Sequence, residues 1–275
     1  MIAGDFLIKA SRELQEAGVA TARLDALVLM EDALGCSRAQ LLAHPEDELP
    51  QAAQRALERQ LERRARHEPL AYIRGHSEFY GRPFYVDKHV LVPRPESETI
   101  IELLKDLRIK SDEWIIDVGT GSGALAITAA CELSHKKVMA IDIDPECLQA
   151  AKHNAQTHGV IIDFRQGDLL SPLLKSDPKI KIGALLCNLP YVPDDYPINE
   201  AARHEPGLAL FGGNDGLDLY RQLFALISRL PTSSQPRYII TESLPSQHVA
   251  LVTLAESCHY SQTRHVDFVQ ILQSI

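Results

Sequence analysis

The tetrapeptide Asn188-Leu189-Pro190-Tyr191 contains the side chains best suited to chemistry, and it directly follows the apolar run GALLC. Proline biases the residue before it towards an extended backbone, so the Leu189 carbonyl can lie beside the Asn188 amide. These two acceptors can hold one planar amino group with its nitrogen aimed at an electrophile, while Tyr191 stacks on the planar substrate. The tetrapeptide predicts nucleophilic attack by an amide or adenine amino nitrogen on an activated carbon. The alternative is an ordinary Asn-x-Pro turn.

A glycine-rich loop follows another apolar run in WIIDVGTGSGALAI. Gly119, Gly121 and Gly123 let the backbone turn tightly and approach a ligand at the start of a helix. The next apolar run ends in Asp142, whose carboxylate can accept both hydroxyls of a ribose. Asp144 is the rival, and we favour Asp142 because it directly follows VMAI. The pattern predicts a nucleoside-containing cofactor, with a purely structural turn as the alternative.

Two further carboxylates distinguish S-adenosylmethionine from a dinucleotide, which the glycine spacing alone does not. Asp117 ends the first strand, where it would repel a phosphate but attract the ammonium of a methionine moiety. Asp168, in Gly167-Asp168-Leu169, can accept from an adenine amino group or cap the following turn. We therefore expect S-adenosylmethionine, whose sulfonium methyl would face the Asn188 loop.

The elements before these motifs are helical. Residues 1 to about 74 show apolar positions three and four apart, and each segment is bounded by a stop residue. Gly18 closes the first helix, Thr21 can cap the second and Ser37 can cap the third. A fourth helix is predicted over 51–67. Its basic-rich face either docks an acidic partner or is a solvated surface.

The rest of the chain alternates strand-like and helix-like segments, which predicts parallel strands with crossover helices. The strand-like runs are WIIDVG, KVMAID, IIDFRQ, GALLCN, YIITES and FVQIL. A hairpin is predicted in EFYGRPFYVD, and an antiparallel pair over residues 259–272. We divide the chain into a helical domain (1–75), a hairpin linker (76–93) and an α/β domain (94–275).

Composition limits the class of protein. The 275 residues, 45% apolar and 24% charged, predict one or two globular domains. The net charge of -9 disfavours nucleic-acid binding. The 5 cysteines show no disulfide or zinc-site spacing, so we expect no metal. The N-terminus lacks a signal-peptide pattern and no apolar run reaches membrane-spanning length. We expect a cytoplasmic monomer with no membrane partner.

The sequence resembles the release factor glutamine methyltransferases, which are class I S-adenosylmethionine-dependent enzymes. The resemblance rests on GHSEFYGRPFYV, VPRPESE, DVGTGSGA, NLPY and RHEPGLALFGGNDGLDLYRQL. It implies a Rossmann-like, mostly parallel seven-stranded sheet with a small N-terminal helical bundle that helps to grip the substrate. It further implies methylation of the glutamine side-chain nitrogen (N5) in the Gly-Gly-Gln motif of peptide chain release factors.

The same resemblance assigns roles to individual residues. The cofactor residues are Gly119, Thr120, Gly121, Ser122, Gly123, Asp142 and Asn188. The glutamine would be held by Asn188, Leu189, Pro190 and Tyr191, with Glu205 near the site. Leu169 stands where the family often has tryptophan, so only its backbone contact to adenine could be retained. Leu189 stands where the family usually has proline.

Five other residues have two interpretations each. Arg94, Glu96 and Glu98 either orient the substrate or bridge the joint between the domains and cap the helix that begins near Ser97. Phe84 and Tyr85 are either hairpin core or part of the active-site wall. The alternative function is an adenine-N6 methyltransferase acting on rRNA or DNA, since N-L-P-Y is typical of ribosomal RNA adenine dimethyltransferases. A regulatory cofactor-binding module without catalysis is a third hypothesis. We expect a protein substrate and no nucleic-acid partner, because the RNA enzymes lack the PRPESE and RHEPGLAL segments.

Overall fold

The computed structural model describes residues 1–134, 136–176 and 180–275. These residues form two compact units. The first contains Met1–His76 and Ile198–His204, and the second contains Ser77–Pro197 and Glu205–Ile275. Within the described ranges, no helix is long and apolar enough to cross a bilayer.

The first unit is a bundle of helices around an apolar core. Its helices are α1 (Ala3–Glu16), α2 (Ala22–Leu34), α3 (Arg38–Ala43), α4 (Gln51–Ala65) and α5 (Leu70–Arg74). The sequence predicted the first four, while the single turn of α5 is too short to show a helical period. Phe6, Leu14, Leu29 and Leu57 lie fully buried in this core.

The predicted helix caps are partly correct. Ser37 accepts a hydrogen bond from the Gln40 N–H, and the Gln40 side chain accepts one from the Ser37 N–H, so α3 begins with a capping box. The side-chain cap predicted for Thr21 is wrong. Its φ of -99° and ψ of 23° lie outside the extended region that a capping residue needs, and its side chain makes no cap hydrogen bond.

Two arginines on the basic face of α4 form ion pairs with acidic residues of the first unit. Arg64 Nε donates to Asp25 Oδ2 over 2.7 Å, and this pair is mostly buried. Arg63 donates to both carboxylate oxygens of Glu68. These two arginines therefore stabilise the bundle itself.

The predicted hairpin consists of β1 (His76–Phe79) and β2 (Arg82–Tyr85), of which all but His76 belongs to the second unit, and an α/β domain follows it. Its helices are α6 (Glu98–Lys105), α7 (Ala124–Glu132), α8 (Pro145–Thr157), α9 (Ser171–Ser176), α10 (Gly207–Leu210), α11 (Asp218–Ile227) and α12 (His248–Glu256). Its strands are β3 (Trp114–Val118), β4 (Lys137–Asp142), β5 (Asp163–Gln166), β6 (Ile182–Cys187), β7 (Tyr238–Glu242), β8 (Tyr260–Val266) and β9 (Val269–Ser274).

These seven strands form one sheet in the order β5-β4-β3-β6-β7-β9-β8. The first five are parallel, and β9 runs antiparallel to both β7 and β8. This is the predicted class I methyltransferase sheet. The chain moves outward from β3 to β5 on one side and from β6 to β7 on the other. Such a switch in strand order opens a ligand crevice at the carboxyl ends of β3 and β6.

Apolar side chains cover both faces of the sheet, so its central strands are almost wholly apolar. Ile116 and Leu185 belong to the cluster on one face, and Ile115 and Leu186 to the cluster on the other. Every residue of β6 is buried. The sheet is therefore a rigid support for the polar residues that follow its strands.

Candidate active site

The glycine loop between β3 and α7 places three residues in the left-handed region. Gly119, Gly121 and Gly123 have φ angles of 72°, 54° and 83°. A Cβ on Gly123 would lie 2.9 Å from Ile127 Cδ1 and 3.0 Å from Ala151 Cβ, so this glycine allows α7 and α8 to pack closely. A Cβ on Gly121 would meet nothing within 4 Å. Gly121 therefore faces open space, where a ligand can approach the backbone.

Asp142 is tied to this loop. It ends β4, is 8% exposed, and accepts from the Gly121 N–H at 2.8 Å and the Asp144 N–H at 3.0 Å. Burial raises its pKa, and these hydrogen bonds act against that rise. The rival Asp144 caps α8 by accepting from the Glu146 N–H. Asp142 thus lies beside the glycine loop, and each of its carboxylate oxygens can accept a further hydrogen bond. Its contact with a ribose stays a prediction.

Asp117 has an unsatisfied oxygen. The residue is 1% exposed, and its Oδ2 accepts from Thr120 Oγ1 at 2.6 Å and the Ala126 N–H at 3.2 Å. Its Oδ1 is buried without a hydrogen-bond partner. Burial raises the pKa of Asp117 to about 7. A cationic donor such as an ammonium group would satisfy Oδ1 and stabilise the carboxylate, so this residue fits the methionine end of S-adenosylmethionine.

The segment after β5 meets the same edge of the sheet. The Gly167 N–H donates to the Asp142 carbonyl, and Asp168 is exposed. Leu169 has a φ of 47°, and its side chain packs into the core. The Asp168 carbonyl accepts from the Ser171 N–H at the first turn of α9. The predicted adenine contacts of Asp168 and Leu169 stay predictions.

The Asn188 loop follows β6 beside the glycine loop. Leu189 is 2% exposed, and its Cδ2 lies 3.2 Å from the place that a Cβ on Gly119 would occupy. Asn188 Nδ2 donates to Ser97 Oγ at 2.8 Å, which leaves Asn188 Oδ1 as the acceptor available to a substrate. The structure therefore brings together two parts of the predicted site that are far apart in sequence.

Tyr191 is anchored by a residue that the sequence analysis missed. Its hydroxyl donates to Glu242 Oε1 at 3.0 Å, and Glu242, the last residue of β7, is 1% exposed. Burial, together with the Glu242 charge, raises the pKa of Tyr191 well above its usual range. The Tyr191 ring packs against the core while remaining partly exposed. Its predicted stacking on the substrate stays a prediction.

Comparison with known proteins identifies the family. Residues 5–75 match the family model described as the PrmC N-terminal domain. The release factor glutamine methyltransferase of Koribacter versatilis is 40% identical over 218 residues, which cover 78% of this chain and 77% of that protein. The enzyme of the same name from Moorella thermoacetica is 40% identical over 78% of this chain and 76% of its own length. This chain belongs to the release factor glutamine methyltransferase family.

Other comparisons of this family member show its fold. Residues 97–188 also match the model of the ribosomal protein L11 methyltransferase. The human Mettl16 catalytic domain, solved with an RNA hairpin, has a TM-score of 0.56 at 13% identity and covers 82% of this chain and 80% of its own. The human methyltransferase 10 domain containing protein has a TM-score of 0.51 at 20% identity, with 71% and 89% covered.

The segment FGGNDG braces the Asn188 loop in this family member. The Gly212 N–H donates to the Val192 carbonyl at 2.9 Å. A Cβ on Gly216 would overlap the Tyr191 carbonyl oxygen. Gln247 Nε2 donates to that same oxygen at 2.8 Å and to the Asp215 carbonyl at 2.7 Å. The segment needs glycine because its backbone lies directly against the loop.

Glu205 and Arg94 form a brace in this family member. Glu205 is buried, and its two oxygens accept from Arg94 Nη2 at 2.6 Å and from the Val92 N–H at 3.1 Å. Both residues belong to the second unit, so this ion pair does not test the predicted brace between the domains. Glu96 is exposed. The substrate roles predicted for Arg94, Glu96 and Glu205 remain predictions.

Phe84 requires a correction. It is 0% exposed and packs edge-on against Phe79, with ring centroids 6.1 Å apart. A fully buried ring offers no surface to a substrate, so Phe84 is hairpin core and not part of the active-site wall.

Asn154 is a second buried polar residue that the sequence analysis missed. It exchanges hydrogen bonds with the Tyr85 backbone and donates to the Ser122 carbonyl at 2.8 Å. Asn154 thereby ties the hairpin to the glycine loop. Thr120 and Ser122 are buried at 7% and 3% exposure, so a cofactor would meet mainly their backbone.

Proposed function

We propose that this protein transfers a methyl group from S-adenosylmethionine to the N5 amide nitrogen of the glutamine in the Gly-Gly-Gln motif of peptide chain release factors. The observation that carries the proposal is the Asn188 loop beside the glycine loop in a chain 40% identical to release factor glutamine methyltransferases over most of its length. A release-factor substrate places the reaction in the cytoplasm, and we propose that a monomer acts.

The residues around the crevice fit the cofactor by charge and shape. Asp117 Oδ1, buried without a partner, would accept from the methionine ammonium. Asp142 would accept from the ribose hydroxyls, and the open face of Gly121 would let the cofactor approach the backbone. When bound, S-adenosylmethionine supplies an activated methyl group on sulfur. Asp168 and Leu169 would meet the adenine.

The Asn188 loop would position the nucleophile. Asn188 Oδ1 and the Leu189 carbonyl would each accept one hydrogen of the glutamine amide. The amide nitrogen is then held in line with the methyl carbon. Alignment of this kind is worth roughly 7–11 kcal/mol of the barrier. The new N–C bond would form as the S–C bond to the methyl group breaks, with S-adenosylhomocysteine leaving and one amide proton released to solvent. Because the methyl donor is already activated, alignment is the main contribution of the protein.

Labelled cofactor and an unmodified release factor test this function. We expect one methyl group per release factor, found by mass spectrometry on the Gly-Gly-Gln glutamine. A release factor with alanine in place of that glutamine should accept none. Removing the Asn188 acceptor with Asn188→Ala should lower kcat/KM by about 100-fold or more, corresponding to at least roughly 2.7 kcal/mol. Absence of a methyl group on that glutamine with the wild-type enzyme would refute the proposal.

A further inference from the structure

Asn188 and Glu242 follow neighbouring parallel strands at corresponding positions. Cys187 of β6 pairs with Thr241 of β7, so the next residue of each strand is one of these two polar residues. The buried Tyr220 hydroxyl lies within hydrogen-bond distance of the carbonyls of Cys187 at 3.0 Å and Glu242 at 2.6 Å, and its single hydrogen can bridge the two strand ends. The backbones of Asn188 and Glu242 are therefore held side by side.

Ser97 is hydrogen-bonded to the side chain of Asn188, the first of these two residues. It is 3% exposed, and its Oγ accepts from Asn188 Nδ2 at 2.8 Å. Burial raises the pKa of Glu242, and the nearby hydroxyls of Ser97 and Tyr191 act against that rise. Glu242 Oε1 accepts from the Tyr191 hydroxyl, whereas Glu242 Oε2 is buried without a hydrogen-bond partner. Ser97 is thus a donor placed close to a buried carboxylate that needs one.

The chemistry of these groups determines which way the Asn188 amide faces. A serine hydroxyl has one hydrogen, and an ionised carboxylate can only accept. When the Ser97 hydrogen points to Glu242, the Ser97 oxygen can only accept from Asn188. The Asn188 NH₂ group must then face Ser97, and Oδ1 faces the crevice. An amide turned by 180° would present its NH₂ group to the NH₂ group of the substrate, and one of the two acceptors would be lost.

We propose that Ser97 and Glu242 are positioning residues that hold the Asn188 side-chain amide with Oδ1 towards the glutamine. This inference rests on the proposed function and adds two residues to its site. It concerns orientation only, since neither residue touches the substrate. Glu242 acts through Ser97, and Ser97 acts through Asn188.

The decisive variant is Glu242→Gln, which keeps the size of the side chain but can donate to Ser97. Ser97 can then turn its hydrogen to Asn188 Oδ1. We expect kcat for release-factor methylation to fall about tenfold or more, with KM for S-adenosylmethionine within about twofold and melting temperature little changed. Ser97→Ala should lower kcat by a similar factor. Ser97→Thr should retain most of the wild-type kcat because it keeps the hydroxyl. Thr241→Val is the matched control, since Thr241 is equally buried on the same strand outside this network.

A second measurement does not depend on activity. In nuclear magnetic resonance spectra, the Asn188 side-chain amide hydrogens should exchange slowly in the wild type because they bond to Ser97, and quickly in Glu242→Gln.

Wild-type kcat in Glu242→Gln, or equal losses in Glu242→Gln and Thr241→Val, would overturn the inference. If the wild type itself fails to methylate a release factor, the proposed function fails, and the exchange measurement still decides the orientation of Asn188.

Discussion

At the scale of single residues, Asp117 shows most directly what the site demands. Its carboxylate is buried with one oxygen unpaired, and its pKa is raised to about 7 by burial. An ammonium group binds the ionised form, so proton loss and cofactor binding are linked. Between pH 5.5 and 7 the cofactor's own amino group stays protonated. We expect its affinity to rise about tenfold across this range, measured by calorimetry, whereas Asp117→Asn should bind weakly with no such dependence.

The ionised carboxylate of Asp117 should destabilise the cofactor-free protein, because it is buried there without a cationic partner. The folded state holds the Asp117 proton between its ordinary pKa of 3.8 and about 7, while the unfolded chain has already released it. The contribution of Asp117 to stability is therefore greatest below this window and falls as the pH rises through it. At pH 8, Asp117→Asn should raise the melting temperature of the cofactor-free protein by a few degrees, which calorimetric scans would measure. A lower melting temperature would contradict this account.

Which site residues the sequence could predict depends on how local their contacts are. Asp142 and Asn188 directly follow apolar strands, so their place at the carboxyl edge was predictable. Ser97 and Glu242 matter only through partners on other elements, which the sequence does not pair. Phe84 was ambiguous because an aromatic residue beside a hairpin turn can face either side.

At the scale of elements, two glycines of the glycine loop are needed for different reasons. Gly121 is needed for its left-handed backbone, and Gly123 is also needed for close packing of the helices. Gly121→Ala meets only the cost of a left-handed backbone, about 1–2 kcal/mol, because its Cβ enters open space. Gly123→Ala adds overlap with Ile127 and Ala151. We expect Gly121→Ala to lose cofactor affinity with modest loss of stability, and Gly123→Ala to lose more stability by about 1–3 kcal/mol. Chemical unfolding and calorimetry would measure both, and equal stabilities would contradict the distinction.

The FGGNDG segment should control kcat without touching the cofactor. Gly216→Ala would push its Cβ into the Tyr191 carbonyl and the Gln247 amide, so the Asn188 loop must shift. We expect kcat to fall by at least about tenfold while cofactor affinity changes little. Gly159→Ala is the matched control, because Gly159 has the same left-handed backbone (φ 65°) but its Cβ would meet nothing within 4 Å. Steady-state kinetics would compare the two, and equal rates would argue against the bracing role.

The elements themselves were largely predictable. The alternation of strand-like and helix-like segments located the strands of the α/β sheet along the chain, because buried parallel strands and amphipathic helices leave different apolar periods. The short α5 and α9 were missed because one or two turns give too few residues to show a period. Thr21 failed as a cap because its backbone angles follow from the turn between α1 and α2.

At the scale of the whole molecule, the net charge of -9 favours a protein amide over an RNA base as substrate. Nucleic-acid binding through six to ten phosphate contacts weakens about 10³–10⁵-fold between 50 and 200 mM salt, because released counterions drive it. A net charge of -9 opposes such binding. We expect that excess ribosomal RNA fragments do not inhibit release-factor methylation even at 50 mM salt, and that fluorescence anisotropy detects only weak RNA binding. Strong, steeply salt-dependent RNA binding with methyl transfer to adenine would favour the nucleic-acid alternative, since the Asn188 loop can hold either amino group.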